Sequence, residues 1–456
     1  MKLNSINPSK YEQLGEIDVS DESEIKKKVK LANDARLDWK NTTIDKRIKL
    51  LTPVFDEFKY RKNELAELVS KEMGMPINNS LNDVDEAISY ADWYFNNAEK
   101  YLGPEITGET DHEIHTVYHE PIGVSAVMIS WNFPFSNVVW AVLQGLIAGN
   151  VTVIKHSEEC PLSGKFIEKV FSNHDFKGVF NEVYGDGEVG KRLIHQEINM
   201  IHFIGGSATG RYVCKVAGER LLKANMELGG SAPGIIFDDA DIERVIGSVC
   251  ELRLFNCGQV CNSLKRLIVH ESIVDTVKDK ITDVFSQKKI GNALDKSTEI
   301  GPLASKKQLE LLICQVEDAV ERGAKVLVGG KSLEKKSGGA FYTPTLLTNI
   351  SRDMRVWQEE VFGPVLPIAT FTTEKEAIML ANDTQYGLGA YVFSEDKEKT
   401  ERVAQAIDSG IVSINGCNYI IPSNPFGGYK ASGLGRQHGK YGFYDVSQTK
   451  LVATPK

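Results

Sequence analysis

Cys261 stands at the end of Phe255-Asn256-Cys257-Gly258-Gln259-Val260-Cys261, a short polar loop between a helix-like run, Val249 to Phe255, and the strand-like Leu267-Ile268-Val269. A structural cysteine ordinarily falls within apolar periodicity. This one follows a flexible Gly-Gln step that can present a thiol to a substrate. Once deprotonated, such a thiol is a strong nucleophile toward a carbonyl carbon. Taken alone, a loop cysteine is also a small filler of the core. Cys257, four residues earlier, could pair with Cys261 in a reversible disulfide, although that spacing does not itself set disulfide geometry. No Cys or His pair with matching spacing completes a tetrahedral metal site.

Three turns add a second chemistry. Gly185-Asp186-Gly187-Glu188-Val189-Gly190 matches G-x-G-x-x-G, follows a short strand and opens a helix. The acid expected at the end of the next strand is missing, because Met200 to Ile204 runs straight into Gly205-Gly206, so the ordinary Rossmann reading of this fingerprint is weak. Gly205-Gly206-Ser207-Ala208-Thr209-Gly210 also joins a strand to a helix. Its glycines would let a pyrophosphate approach the amides of a helix start. The strand Val151 to Ile154 ends in Lys155-His156-Ser157-Glu158, a lysine and a glutamate that could both reach a ribose. Each turn alone is a tight βα connection with solvated charge. Together they favour a nucleotide crevice.

The elements that position these residues follow a consistent pattern. Residues 21 to 73 read as helical, with Ile25, Val29 and Ala32, then Ile48, Leu51, Val54, Phe55 and Phe58 at helix spacing. Asn82 to Tyr101 reads as a further helix, Gly103 to Gly108 as a break, and Ile114 to Tyr118 as an exposed strand. From Val124 onward, short β-rich runs alternate with helical segments, the sign of βαβ units on a parallel sheet. A second such series follows Pro233, and Tyr444 to Val452 reads as an isolated strand. The expected fold class is α/β: a Rossmann-like dinucleotide-binding domain, an α/β catalytic domain and a small β element.

The chain has 456 residues, enough for two or three domains, with 42% hydrophobic and 25% charged residues. A net charge of −9 argues against a nucleic-acid surface or an acidic membrane as partner. Seven scattered cysteines read as reduced thiols of a cytoplasmic protein. The N-terminus lacks an apolar signal core, and the most apolar stretch, Val138 to Ala148, is too short to span a bilayer.

With these residues in place, the chain resembles the NAD(P)-dependent aldehyde dehydrogenase superfamily over nearly its whole length. Ser130-Trp131-Asn132-Phe133-Pro134, Met226-Glu227-Leu228-Gly229-Gly230, Asn256 to Cys261, Glu359-Glu360-Val361-Phe362-Gly363-Pro364 and Pro425-Phe426-Gly427-Gly428 occur in the family's order and approximate spacing. The short branch that includes succinate-semialdehyde dehydrogenases is most similar, on Lys155-His156, Glu227 to Ser231 and Ile414-Asn415-Gly416. The N-terminus is expected to lack the leading strands of longer members.

The resemblance implies residue roles. Cys261 attacks an aldehyde carbon to give a thiohemiacetal. The Asn132 side chain and the Cys261 backbone amide hold the oxyanion. Glu227 is the general base that hydrolyses the thioester and helps deprotonate Cys261. Read without the family, Asn132 is equally a helix N-cap and Glu227 a surface acid. Trp131, Lys155, Glu158, Gly187, Gly205, Gly206, Glu360 and Phe362 line the dinucleotide, with Gly206 replacing the family's usual serine. The Glu158 carboxylate accepts from an adenosine 2′-hydroxyl and repels a 2′-phosphate, which favours NAD over NADP.

The branch's semialdehyde enzymes carry a cation on the helix after Asn132, and Phe135 to Ala141 has none. Trp93, Trp140 and Tyr419 are expected to line an aromatic tunnel, with a core role as the alternative, so succinate semialdehyde stands beside aliphatic and aromatic aldehydes. Lys265 and Arg266 read as structural. The implied domains are 1–102 with 120–230 (dinucleotide), 231–425 (catalytic), and 103–119 with 426–456 (oligomerisation strands of a homodimer or homotetramer). The competing readings are a non-redox thiol acyltransferase or esterase, and a catalytically silent structural homologue.

Overall fold

Short apolar runs separated by helix-length amphipathic segments build two sheets that are mainly parallel. The computed structural model describes residues 1–456. The first sheet combines β5 (Val124–Met128), β6 (Val151–Lys155), β7 (Phe180–Val183), β8 (Met200–Ile204), β9 (Lys223–Glu227) and β17 (Gly433–Leu434) in the order β17-β9-β8-β5-β6-β7. Strands β5 to β9 run parallel, and β17 adds antiparallel to β9, with Gly433 opposite Glu227. β5, β6 and β7 are buried at every position, as parallel strands covered on both faces must be.

The second sheet has the order β12-β13-β14-β11-β10-β15-β16. Its strands are β10 (Ala232–Ile236), β11 (Leu264–His270), β12 (Lys325–Val328), β13 (Thr345–Thr348), β14 (Val365–Phe371), β15 (Gly389–Phe393) and β16 (Ile411–Ile414). Only β12 is antiparallel to its neighbour.

The helical N-terminal region divides into α1 (Glu22–Lys40), α2 (Ile44–Tyr60) and α3 (Lys62–Met73), followed by α4 (Ile77–Leu102). Asp21 and Thr43 cap the first two by accepting from the Glu24 and Lys46 amides. Ile25, Val29 and Ala32 form the buried stripe of α1.

Four expectations need correction. The N-terminus does not lack leading strands: β1 (Lys2–Asn7) and β2 (Glu12–Asp18) form an antiparallel hairpin. It is tied down by Ser5, whose hydroxyl donates to buried Glu72 at 2.6 Å, while Glu72 also accepts the Leu162 and Ser163 amides at the start of helix Pro161–Ser172. The supposed break at 103–108 contains β3 (Glu105–Glu109), which pairs with β4 (Glu113–Pro121). Residues 426–456 are not all strand. Gly433–Leu434 joins the first sheet, Gly439–Asp445 is helical, and only β18 (Ser447–Pro455) pairs with β4. The helix takes Tyr444 out of the predicted strand because Gly442 and Phe443 pack inward.

No helix is long and apolar enough to cross a membrane.

Candidate active site

In a parallel sheet, ligands collect beyond the carboxyl ends of the strands, where the order of connection reverses. In the first sheet the chain moves from β5 outward to β6 and β7, then returns to place β8 on the other side of β5. Nearly every candidate residue on this half lies just past such an end. Trp131 and Asn132 follow β5, Lys155 ends β6 with Glu158 beyond it, Gly187 follows β7, Gly205 and Gly206 follow β8, and Glu227 ends β9. On the second sheet, Cys261 precedes β11, Gly229 and Gly230 precede β10, and Glu360 and Phe362 precede β14, so these residues gather at the amino ends of its strands.

The Cys261 loop is held by its own polar side chains. Asn256 and Cys257 take left-handed backbone conformations (φ 48° and 57°). Asn256 Nδ2 donates to the Asn132 carbonyl at 3.0 Å, and Gln259 Oε1 accepts the Ala304 amide at 2.8 Å. Gly258 has φ +74°, and a Cβ there would collide with the Gly363 carbonyl and, at 2.7 Å, with Arg253, so only glycine fits. Cys257 is fully buried in the apolar core, and both it and Cys261 are free thiols.

Cys261 is half-buried, and its Sγ lies 3.9 Å from Asn262 Oδ1. Burial pushes its thiol pKa up to about 12; Glu360 and Glu227 add to this, while Lys265 and the Asn262 amide oppose it. Its backbone N–H donates to no protein acceptor. Asn132 is 5% exposed, donates through Nδ2 to the Gln259 carbonyl at 3.2 Å, and accepts from Ser130 Oγ at 2.7 Å. These bonds aim its amide at the Cys261 loop, and it does not cap the following helix, whose first residue is preceded by Phe135.

Glu227 is not a surface acid. It is 4% exposed, neither carboxylate oxygen has a partner, and burial raises its pKa well above the ordinary value, with Arg436 opposing. An unpartnered buried carboxylate is costly, and such orphans concentrate where chemistry is done.

On the cofactor side, buried Lys155 donates to the Gly185 carbonyl at 2.8 Å and sits 3.3 Å from Glu158, joining two of the predicted turns. The glycine fingerprint lies beyond β7, an edge strand, rather than at a central strand. A Cβ added at Gly187 or Gly206 would meet open space, which leaves room for a diphosphate at the starts of helices Gly187–Ile194 and Ser207–Glu219. Trp131 and Phe362, from opposite halves of the chain, meet edge-to-face at 5.4 Å. Glu360 Oε1 accepts from the Gly230 amide at 3.0 Å and from Lys265 Nζ at 2.6 Å.

The predicted aromatic tunnel is only partly assembled. Trp140 lies in a π-helical turn, Val139–Leu143, and packs on Phe133 (6.1 Å), Tyr90 (6.0 Å) and His438 (5.5 Å). Tyr419 is on the other side of the loop, where its hydroxyl accepts from Asn262 Nδ2 at 2.6 Å and shares a hydrogen bond with Tyr391. Trp93 joins neither; it packs on Tyr94 and Tyr101. On α4, Tyr90 and Tyr94 share the face toward His438, and the helical advance turns Trp93 away from it.

The reading of Lys265 and Arg266 as structural divides. Arg266 donates to the carbonyls of Ser231, Leu380 and Ala381, as a brace would. Lys265 instead sits against Cys261, Gly230 and Glu360. A charge directly before a brace residue carried no sequence signal of this.

The aldehyde dehydrogenase family pattern matches residues 1–452. A Staphylococcus saprophyticus protein, named no further than aldehyde dehydrogenase, is 36% identical over 457 residues, covering 99% of this chain and 95% of its own. Betaine aldehyde dehydrogenase of Staphylococcus aureus, crystallised with NAD+, superposes with a TM-score of 0.96 at 33% identity, over 100% of this chain and 91% of that one. An NADP-dependent enzyme of E. coli gives a TM-score of 0.96 at 32% identity, over 100% and 95%. The chain therefore belongs to the aldehyde dehydrogenase family, whose reaction is the oxidation of small aldehydes.

Proposed function

We propose that this chain oxidises an aldehyde to the carboxylic acid through a thiohemiacetal and a thioester on Cys261, with NAD as the preferred cofactor. The observation that carries this reading is the convergence of Cys261, Asn132 and Glu227 from separate strand ends onto one loop. The Cys261 thiol first loses its proton to solvent, and the thiolate sulfur bonds to the carbonyl carbon as the C=O pair moves onto oxygen. The oxygen, now negative, is met by the second N–H of the Asn132 amide and by the free backbone N–H of Cys261. A nicotinamide held beside Cys261 would supply the hydride acceptor needed for the thiohemiacetal to become a thioester. Glu227 then takes a proton from water, which adds to the thioester carbon and releases acid and thiol.

Lys155, Glu158, Glu360 and the two open glycine turns are the groups proposed to hold the dinucleotide, with Trp131 and Phe362 flanking its nicotinamide end. Residues 1–102 and 120–230, which include the five parallel strands of the first sheet, are proposed as its binding domain and 231–425 as the catalytic domain. β18, paired on one edge to β4, offers its other edge to a second copy, in support of a homo-oligomer. A cytoplasmic enzyme fits the seven free thiols.

Asn132→Ala is expected to reduce kcat about 10²- to 10³-fold with little change in KM, because the lost donor acts on charge that develops in the transition state. A rise in KM with kcat unchanged would instead assign Asn132 to ground-state binding. Steady-state assays with both cofactors are expected to give a higher kcat/KM with NAD. Glu158→Ser should move the ratio toward NADP by about tenfold, roughly 1.4 kcal/mol. A wild-type preference for NADP would overturn this assignment.

For the substrate, the proposal is an aldehyde whose tail carries no strong negative charge. The helix after Asn132 presents Trp140 beside Phe133 and Tyr90, and His438, with its pKa lowered to about 3 by burial, stays neutral. Absorbance at the reduced-nicotinamide band, across aliphatic, aromatic and semialdehyde substrates including succinate semialdehyde, tests this. Turnover confined to succinate semialdehyde would contradict it, and no turnover with any aldehyde would favour the non-redox or silent readings.

A further inference from the structure

Lys265 has no solvent-exposed side-chain surface, yet its ammonium makes three short contacts. Nζ donates to the Cys261 carbonyl at 2.7 Å, to the Gly230 carbonyl at 2.9 Å and to Glu360 Oε1 at 2.6 Å. It also lies 5.1 Å from the centre of the Phe362 ring. Gly230 closes the arrangement. Its amide donates to the same Glu360 oxygen, and a Cβ on it would come within 2.5 Å of the Cys261 carbonyl. One cation thus touches the backbone of the nucleophile, the turn that follows Glu227, and the acid proposed to meet the cofactor.

We propose that Lys265 is a positioning residue that couples the nucleophile to the cofactor acid: its ammonium fixes the Cys261 backbone and supplies the positive charge that favours the thiolate, while Glu360 sets how much of that charge Cys261 feels. Two acceptors of Lys265 are neutral carbonyls, which hold the ammonium in place without cancelling it. The third is Glu360, which neutralises it in part. Glu360 Oε2 makes no hydrogen bond to the protein, so a cofactor hydroxyl can engage that oxygen while Oε1 stays with Lys265 and Gly230. The coupling to cofactor rests on the proposed function; the effect on the thiol does not.

The groups facing Cys261 come from several elements: Lys265 from β11, Glu360 from the loop before β14, Glu227 from β9, Tyr391 from β15 and Tyr419 from the loop after β16. Arg253 also faces Lys265, from helix Ile242–Leu254. Among the charged groups around Cys261, Lys265 alone favours the thiolate.

The test is the rate of Cys261 alkylation by iodoacetamide against pH, in the full chain without cofactor or aldehyde. Peptide mapping and a Cys261→Ser background remove the contribution of exposed Cys314 and Cys417. Lys265→Met is expected to raise the pH midpoint by about one unit and to slow alkylation near neutral pH about tenfold. Lys265→Arg should restore most of the rate. Glu360→Gln, which frees the ammonium from its counter-charge, should lower the midpoint.

Opposite shifts in the Met and Gln variants support the proposal. A midpoint unmoved in both, or a fall in rate without a shift, makes Lys265 a brace like Arg266 and overturns it. If Lys265→Met fails to fold, the direction of the Glu360→Gln shift decides alone. Because the assay uses no aldehyde, an inactive enzyme with shifted midpoints would sink the dehydrogenase reading and leave this one standing. An active enzyme with fixed midpoints would do the reverse.

Discussion

Cys261→Ala is expected to lower kcat/KM for aldehyde oxidation by about 10⁴-fold or more, the scale of losing a covalent nucleophile. The same variant should melt close to the wild type. The loop is held by Asn256, by Gln259 and by the Lys265 bond to the Cys261 carbonyl, none of which involves sulfur. The only hydrogen-bonding neighbour of Sγ is at 3.9 Å. Cofactor affinity, read by fluorescence quenching, should also be retained. Activity above a hundredth of wild type would remove Cys261 from the mechanism. An equal loss of activity and fold would leave the thiol with a packing role.

Glu227→Gln should separate the two halves of the reaction. One equivalent of reduced cofactor is expected to appear rapidly, followed by a steady state about 10²- to 10⁴-fold slower, because acylation precedes the step that needs the base. Mass spectrometry should detect the thioester on Cys261. The pH dependence has a definite sign. Burial favours the protonated, neutral carboxyl, so the carboxylate that serves as base appears only above the raised pKa. Wild-type deacylation should therefore climb as pH rises through that value and fall away below it. The glutamine variant should lose this limb. Full steady-state activity in the variant would end the assignment.

How much of this was legible in the sequence depended on the range of the interactions. Cys261, Asn132 and Glu227 each sit in a short run whose residue types were informative, and the strands ahead of Asn132 and of the Gly205-Gly206 turn were visible as apolar runs. β5, β6 and β8 could be read because buried parallel strands leave continuous apolar stretches, whereas β9, which carries Glu227, could not, since Lys223-Ala224-Asn225-Met226-Glu227 has no apolar run. Lys265 could not be read, since its decisive partners are 35 and 95 residues away, and a lysine beside an arginine looks like solvated charge. Trp93 failed for a related reason. Aromatic type suggested a tunnel, but which face of α4 it occupies is settled by packing on Tyr101. The N-terminal hairpin escaped because its alternation is polar and its anchor, Glu72, lies 67 residues from Ser5.

β17 pairs with β9 at Glu227 itself: the Ser432 carbonyl accepts the Leu228 amide at 2.9 Å, and the Ser432 hydroxyl donates to the Gly229 carbonyl at 2.7 Å. The strand bearing Glu227 is therefore completed by a segment 203 residues further along the chain, so its hydrogen-bonded edge depends on closure of the whole fold rather than on its neighbours in sequence.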